Sequence, residues 1–515
     1  MKKWVQSYKK QLDSVQMTSF LNPAKKLIDR IENLRINPIV LILYFSFLIS
    51  LRDILEQLFF EDAYSVYQYL HHFFFYFLVL MAGILFMSHI GKIELIKTSL
   101  IISTGFILII LPPLVDRFVS LRSDPYDYIL PKEFIRNMAT FFLFTQKAGL
   151  GILLEIAAIL LLASFYIFIK TRSVFRALMT GLFLYLMVGL SVTPRLYLPV
   201  PDMTKLLNWQ HRHVIYFCFY FGLSMVLGLF FLYKLNKNWP RTIFKEICSF
   251  RTLHFILMVA AGIYIRGALD FFSYPDILFV LISFILIVLL WLKTVLINNV
   301  YDLPIDKISN PSRPLVKGDV NSVDYLRLSF VLSIVALLVS INLGIIPFII
   351  TMAVLISSLA YSMPPLRLRR KLFSSVFIGW GSSLAFFLGY FNRVRFQEMS
   401  LSDNALFLAI LIFGAFSIGP MTKDLKDYKG DLRQGIKTFF TIYGLEKGKR
   451  IVSFLLFLSL LIPLLLFQKA MDMLFFGSAA CIIVILFYVK EKLLLVYLGY
   501  GLVFLYCALR MIGFI

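Results

Sequence analysis

Charge is scarce in this chain, and acid is the scarcer sign. Only 16% of its 515 residues are charged, with 29 Asp and Glu against 51 Lys and Arg. A soluble domain carries about 25% charge, so a water-facing globule is excluded. Cysteine is almost missing. Cys218, Cys248, Cys481 and Cys507 lie scattered in or beside apolar runs, which gives neither metal spacing nor a disulfide framework. The six His residues form no ligand set by spacing, and His71-His72 and His211-Arg212-His213 read as interfacial residues. The alternating ten-residue segments of a membrane barrel are absent, as is any nucleic-acid module. The first 35 residues are polar and basic, so no cleavable signal peptide is expected.

What is abundant is apolar sequence. Hydrophobic residues make up 60% of the chain and aromatics 16%. Many runs reach the roughly 20 residues that cross a bilayer. Only helices or closed barrels satisfy the backbone in lipid, so the sequence predicts an all-α polytopic membrane protein. Residues 1–37 are basic, with Leu27, Ile28, Ile31 and Leu34 on one helical face. They read as an amphipathic segment on the cytoplasmic membrane surface, against the alternative of a disordered basic tail. Six spans follow at about 38–56, 70–89, 95–115, 148–170, 175–198 and 213–234. Pro112-Pro113 would kink or end the third. A Lys/Arg-rich connector over 235–251 leads to nine more spans, at about 252–269, 276–297, 323–341, 344–360, 373–392, 404–421, 450–467, 473–489 and 491–513.

Loop charge orients this layout. Alternate loops hold Lys170, Arg172 and Arg176, then Lys234 to Lys245, then Arg367 to Lys371, and these belong inside. The opposite loops hold Asp53, Glu56, Glu61 and Asp62, with a mixed stretch over 117–147. The net charge of +22 thus points to membrane orientation and anionic headgroups. Fifteen spans with an inside N-terminus put the C-terminus outside. Glu155 falls within a span, where an acid is either functional or paired across helices. Arg266 and His254 lie near span ends and can snorkel.

Three inside loops carry chemistry. Asn298, Asp302 and Asp306 recur every four residues after a long apolar run, so they share one helix face. Asp424, Asp427 and Asp431 repeat the pattern beyond 423. Between them lies Tyr361-Ser-Met-Pro-Pro-Leu-Arg-Leu-Arg-Arg-Lys371. Each cluster alone could be a solvated helix end. Two clusters on one membrane side, with Arg and Lys interleaved, suit two Mg²⁺ ions and a substrate diphosphate. Clamped by metal, a diphosphate is a good leaving group. An apolar tail would match the surrounding lipid, and Tyr301 or Tyr361 could stabilise a carbocation by cation–π contact.

At these residues the chain resembles the UbiA superfamily of intramembrane prenyltransferases. Asn298, Asp302 and Asp306 match its Asn-x-x-x-Asp-x-x-x-Asp motif, and Asn310 to Gly318 its continuation. Asp427 and Asp431 match its Asp-x-x-x-Asp motif, and Tyr361 to Pro365 its central loop. The resemblance covers about 250–515 and implies nine helices around a cavity capped by the motif loops. It implies Mg²⁺ ligands at Asn298, Asp302, Asp306, Asp424, Asp427 and Asp431, with Asp302, Asp306, Asp427, Asp431 and Tyr361 catalytic. Arg313, Lys317, Arg367, Arg369 and Lys423 become candidates for the diphosphate. Asn299 stands where many members have Asp, and Arg367 or Arg369 where Lys is common.

The expected organisation is therefore a segment 1–37, an accessory six-span domain 38–240 without a recognised motif, and a prenyltransferase domain 250–515. The expected reaction is Mg²⁺-dependent prenyl transfer from an isoprenyl diphosphate to a lipophilic acceptor within membrane lipid. An aromatic or quinone-type acceptor is favoured over a glycerol-phosphate lipid or a tetrapyrrole. A transporter is the rival class. Its ion sites would lie nearer the bilayer midplane than these aspartates do. A protein partner for the extension is left open.

Overall fold

The computed structural model describes residues 21–60, 66–122, 128–143, 148–198, 209–267, 276–393 and 399–513. The described residues are helical, with no strand among them. They fall into two compact units, Met1–Lys237 and Asn238–Ile515.

In the first unit, α1 (Pro38–Phe60), α2 (Val66–Gly91), α3 (Leu95–Phe118), α4 (Leu150–Thr171), α5 (Val174–Ser191) and α6 (Trp209–Leu235) correspond to the six expected spans. Phe74 on α2 packs against Phe217 and Phe221 on α6, all three buried. Pro112 and Pro113 do not end α3. They sit in the first turn of its last segment, where a proline loses no helical hydrogen bond. Residues 21–32 are helical, and the rest of the expected amphipathic segment, 1–20, lies outside the described residues. Leu27 and Leu34 are exposed, whereas Glu32 is buried and accepts hydrogen bonds from Lys170 and the Tyr166 hydroxyl at 2.6 and 2.9 Å. This helix is thus tied to α4 by its acidic side.

The second unit begins with a correction. The 235–251 connector is not a loop: α7 (Trp239–Ile247) is a helix there, bent 57° from α8 (Phe250–Arg266). Trp239, Thr242 and Ile243 recur at helical spacing and are buried, which turns its basic residues outward. Then come α9 (Asp276–Tyr301), α10 (Leu303–Ser309), α11 (Ser322–Leu343), α12 (Ile345–Ser362), α13 (Val376–Tyr390), α14 (Asp403–Ile418), α15 (Asp424–Arg433), α16 (Phe439–Leu461), α17 (Ala470–Lys490) and α18 (Leu493–Met511). α16 starts eleven residues before the expected span at 450 and is interrupted by a kink at Gly444, whose φ of 78° is non-helical. A capping box at Thr438 and Thr441 opens it, and Lys449 on its early part pairs with Glu491.

Among the described residues, 13 helices are long and apolar enough to span, or 14 with the bent pair as one span. Fifteen were expected, and the difference is α13, which is apolar but only 15 residues long. The chain is a multi-pass integral membrane protein. Small residues let α8 and α13 cross closely. A Cβ on Gly262 would lie 2.0 Å from the Phe386 carbonyl oxygen, and one on Gly389 2.0 Å from that of Val259.

Candidate active site

α9 ends at Tyr301, and Asp302 caps the short α10 that follows. This break keeps Asn298, Asp302 and Asp306 at one helix end. Asn298 Nδ2 donates to Asp302 Oδ2 at 2.9 Å. α14 passes through a tight turn, Gly419–Lys423, into α15, which carries Asp424, Asp427 and Asp431. α10 packs on α15 at Gly430, where a Cβ would meet Ser309 Oγ at 2.6 Å and Ile305 Cγ2 at 2.8 Å. The absence of a side chain there is what lets the two aspartate-bearing helices touch.

The contact between the two motifs is direct. Asn310 Nδ2 donates to Asp306 Oδ1 at 3.0 Å and to Asp427 Oδ1 at 3.1 Å. Arg369, 3% exposed, lies among three carboxylates. Its guanidinium is 3.7 Å from Asp302, 3.9 Å from Asp427 and 3.3 Å from Asp431. Burial disfavours the Arg369 charge, but Tyr361, Asp302, Asp431 and Asp424 hold its pKa above the ordinary arginine value. Lys423 pairs with Asp427 at 3.2 Å. Arg313 pairs with Asp306 and donates to Asn299 Oδ1 at 2.6 Å. For Asp306, burial outweighs Arg313 and Asn310 and raises its pKa. Asp302, Asp306, Asp427 and Asp431 are all buried.

A cavity of about 600 Å³ adjoins this cluster. Its wall is mainly apolar and includes Phe255, Ile287, Leu290, Trp291, Phe377 and Phe416. Its polar end carries Asn298, Arg313, Tyr361 and Lys423. A second cavity of about 340 Å³ shares Arg251, Arg313, Lys423 and Tyr497 with the first and adds Asn310, Lys426 and Asp427.

A profile of the UbiA prenyltransferase family matches residues 255–498. The match covers a little under half of the chain. The chain is 31% identical over 171 residues to a digeranylgeranylglyceryl phosphate synthase of Sulfurisphaera tokodaii, covering 33% of this chain and 60% of the relative. It is 28% identical over 222 residues to the enzyme of the same name from Saccharolobus solfataricus, covering 42% and 76%. The chain thus spans about three fifths of the length of the first of these relatives. A solved UbiA homolog from Archaeoglobus fulgidus bound to DMAPP and Mg²⁺ aligns over 52% of this chain and 97% of its own, at 13% identity and a TM-score of 0.40.

Two of the five candidate cations stand apart from the aspartates of the two motifs. Arg367 donates to the Tyr301 carbonyl at 2.6 Å and braces the α9 end. Lys317 is exposed and lines neither cavity. His254 is not a snorkelling residue: it lines the larger cavity and hydrogen-bonds to Ser382 at 2.8 Å. Sequence reasoning missed Glu246 and Arg251. Glu246 on α7 accepts from Asn299 at 3.0 Å, and Arg251 opens α8 beside both cavities. Reading 235–251 as a connector hid them. Asn299, set aside as a departure from the family pattern, is the residue through which Glu246 reaches Arg313.

Proposed function

We propose that this protein transfers a prenyl group from an isoprenyl diphosphate to a lipophilic acceptor, with Mg²⁺ as cofactor. The observation that carries this reading is the union of two buried aspartate clusters behind Asn298, Arg313 and Lys423, which line an apolar cavity and contact those aspartates. The donor set fits a hard divalent ion. It consists of carboxylate and amide oxygens, and Asp431 Oδ2 is buried without a hydrogen-bond partner. Asn298, Asp302, Asp306, Asp427 and Asp431 would hold the metal, with Asp424 one turn before Asp427. When bound, Mg²⁺ would neutralise the diphosphate and ease its departure.

The chain's own residues do the rest. Arg313 and Lys423 face the cavity and bring positive charge to the diphosphate oxygens. Arg369 keeps the aspartates of both motifs converged and is in this reading a positioning residue. The electron pair of the broken C–O bond leaves with the diphosphate. Tyr361 lines the cavity on the cluster's side, where its ring can face the carbon that becomes cationic. The apolar wall keeps water from that carbon. The acceptor then forms the new bond and loses a proton. Aspartates at helix ends, beside cations, support an enzyme over a transporter. By loop charge, the motif loops and the N-terminus face the cytoplasm, the C-terminus faces out, and residues 38–240 form an accessory membrane domain.

The acceptor reading shifts with the geometry. Lys245, Arg251 and Lys426 line the two cavities in addition to Arg313 and Lys423. That surplus of cations supports an acceptor bearing its own phosphate, as the names of the archaeal relatives suggest, over an uncharged aromatic ring. The test incubates purified protein and Mg²⁺ with labelled prenyl diphosphates and a panel of glycerol-phosphate lipids, aromatic acids and tetrapyrroles. Product with a glycerol-phosphate acceptor, lost in Asp302→Ala and Asp431→Ala, supports both levels of the reading. No product and no diphosphate release with any donor removes it.

A further inference from the structure

The first unit holds a polar centre of its own. Asp53 and Glu56 lie on one face of α1, and His72 lies on α2. One ligand atom from each of the three falls within 4.8 Å of the others. All three residues belong to membrane-spanning helices, where an acid is costly unless it is compensated. Spacing along the chain does not reveal this grouping, because Glu56 and His72 lie 16 positions apart on different helices.

Arg52 pairs with Glu56 at 2.7 Å and with Glu155 of α4 at 3.0 Å. His72 Nδ1 is 3.3 Å from Asp53 Oδ1. Asp53 is 4% exposed, yet its Oδ2 has no hydrogen-bond partner. Asp53, Glu56 and Glu155 thus gather around Arg52. A divalent cation would give the buried, unpartnered Asp53 oxygen a partner.

We propose that Asp53, Glu56 and His72 form a binding site for a divalent transition metal within the N-terminal membrane unit. Two carboxylates and one imidazole suit Zn²⁺ or its first-row neighbours better than Mg²⁺. Arg52 then serves as the counter-charge of Glu155 and orients Glu56, as outer partners of metal ligands do. Three protein ligands leave further coordination positions for water or another small donor.

The test uses the full chain purified in detergent, stripped of metal and kept in excess Mg²⁺ to occupy the aspartates of the two motifs. Zn²⁺ alone is titrated by calorimetry, and Co²⁺ is titrated by visible absorption. One equivalent of Zn²⁺ is expected in the wild type. His72→Gln and Asp53→Asn should weaken that binding by at least about tenfold. Asp302→Ala/Asp427→Ala protein, inactive in prenyl transfer, should bind as the wild type does, so this site and the prenyltransferase reading fail or stand separately. Should a variant not fold, the wild type alone decides: an intense low-symmetry Co²⁺ spectrum that Zn²⁺ displaces supports the site. Absence of Zn²⁺ binding under excess Mg²⁺, or equal binding in folded His72→Gln protein, overturns it. The carboxylates would then be neutralised by protons.

Discussion

Arg369 reaches Asp302, Asp427 and Asp431 at once and so joins both motifs by charge. Its replacement leaves buried carboxylates facing one another. Arg369→Gln is therefore expected to lower stability by about 3–5 kcal/mol. Thermal unfolding of the detergent-solubilised protein in chelator measures this, and millimolar Mg²⁺ should recover part of the loss by mass action. An unchanged midpoint would mean that the aspartates do not depend on it. Asn310 makes the neutral version of the same link. Asn310→Ala should raise the Mg²⁺ concentration needed for half-maximal turnover by about 10–100-fold while folding is preserved. The aspartates were legible because four-residue spacing on an apolar background is itself a physical statement. The cations were not. Arg367, Arg369, Lys317 and Arg313 are equivalent in sequence, and only packing decides that Arg369 turns inward while Lys317 stays in solvent.

At the scale of elements, close approach of backbones places the site. Gly389→Ala puts a methyl carbon against the Val259 carbonyl, which cannot move aside as a side chain would. The α8–α13 pair should separate, at a cost of about 1–3 kcal/mol read as a lower unfolding midpoint. Gly430→Ala presses on Ser309 and Ile305 instead. It should depress turnover more than stability, since a small shift of α10 moves Asp306 relative to Asp427. Comparing turnover with unfolding midpoint for both variants checks this, and equal ratios would count against it. Long apolar runs made most spans readable from sequence. The failures share one cause: α7 and the start of α16 are helices with charge on them, so a hydropathy reading treats them as loops. Trp239 and Ile243 in one, and the buried Lys449 in the other, make them part of the packed unit.

Across the whole molecule, topology is the property most open to a simple measurement. In a cysteine-free background, Lys317→Cys places an exposed thiol beside the motif loops. It should react with a membrane-impermeant maleimide only when the cytoplasmic face is opened, and labelling of intact cells would reverse the orientation proposed from loop charge. Both units pair buried acids with cations: Arg313, Arg369 and Lys423 stand beside the aspartates of the second, and Arg52 and Lys170 beside Glu56, Glu155 and Glu32 of the first. The 57° break between α7 and α8 has one more effect. A straight helix would show the cavity only side chains at that level. The break instead puts a helix start at the wall, with Ser249, Phe250 and Arg251 all lining it and Ser249 capping the Thr252 amide. The peptide dipoles of α8 then add about half a positive elementary charge there, independent of pH and of any titratable residue.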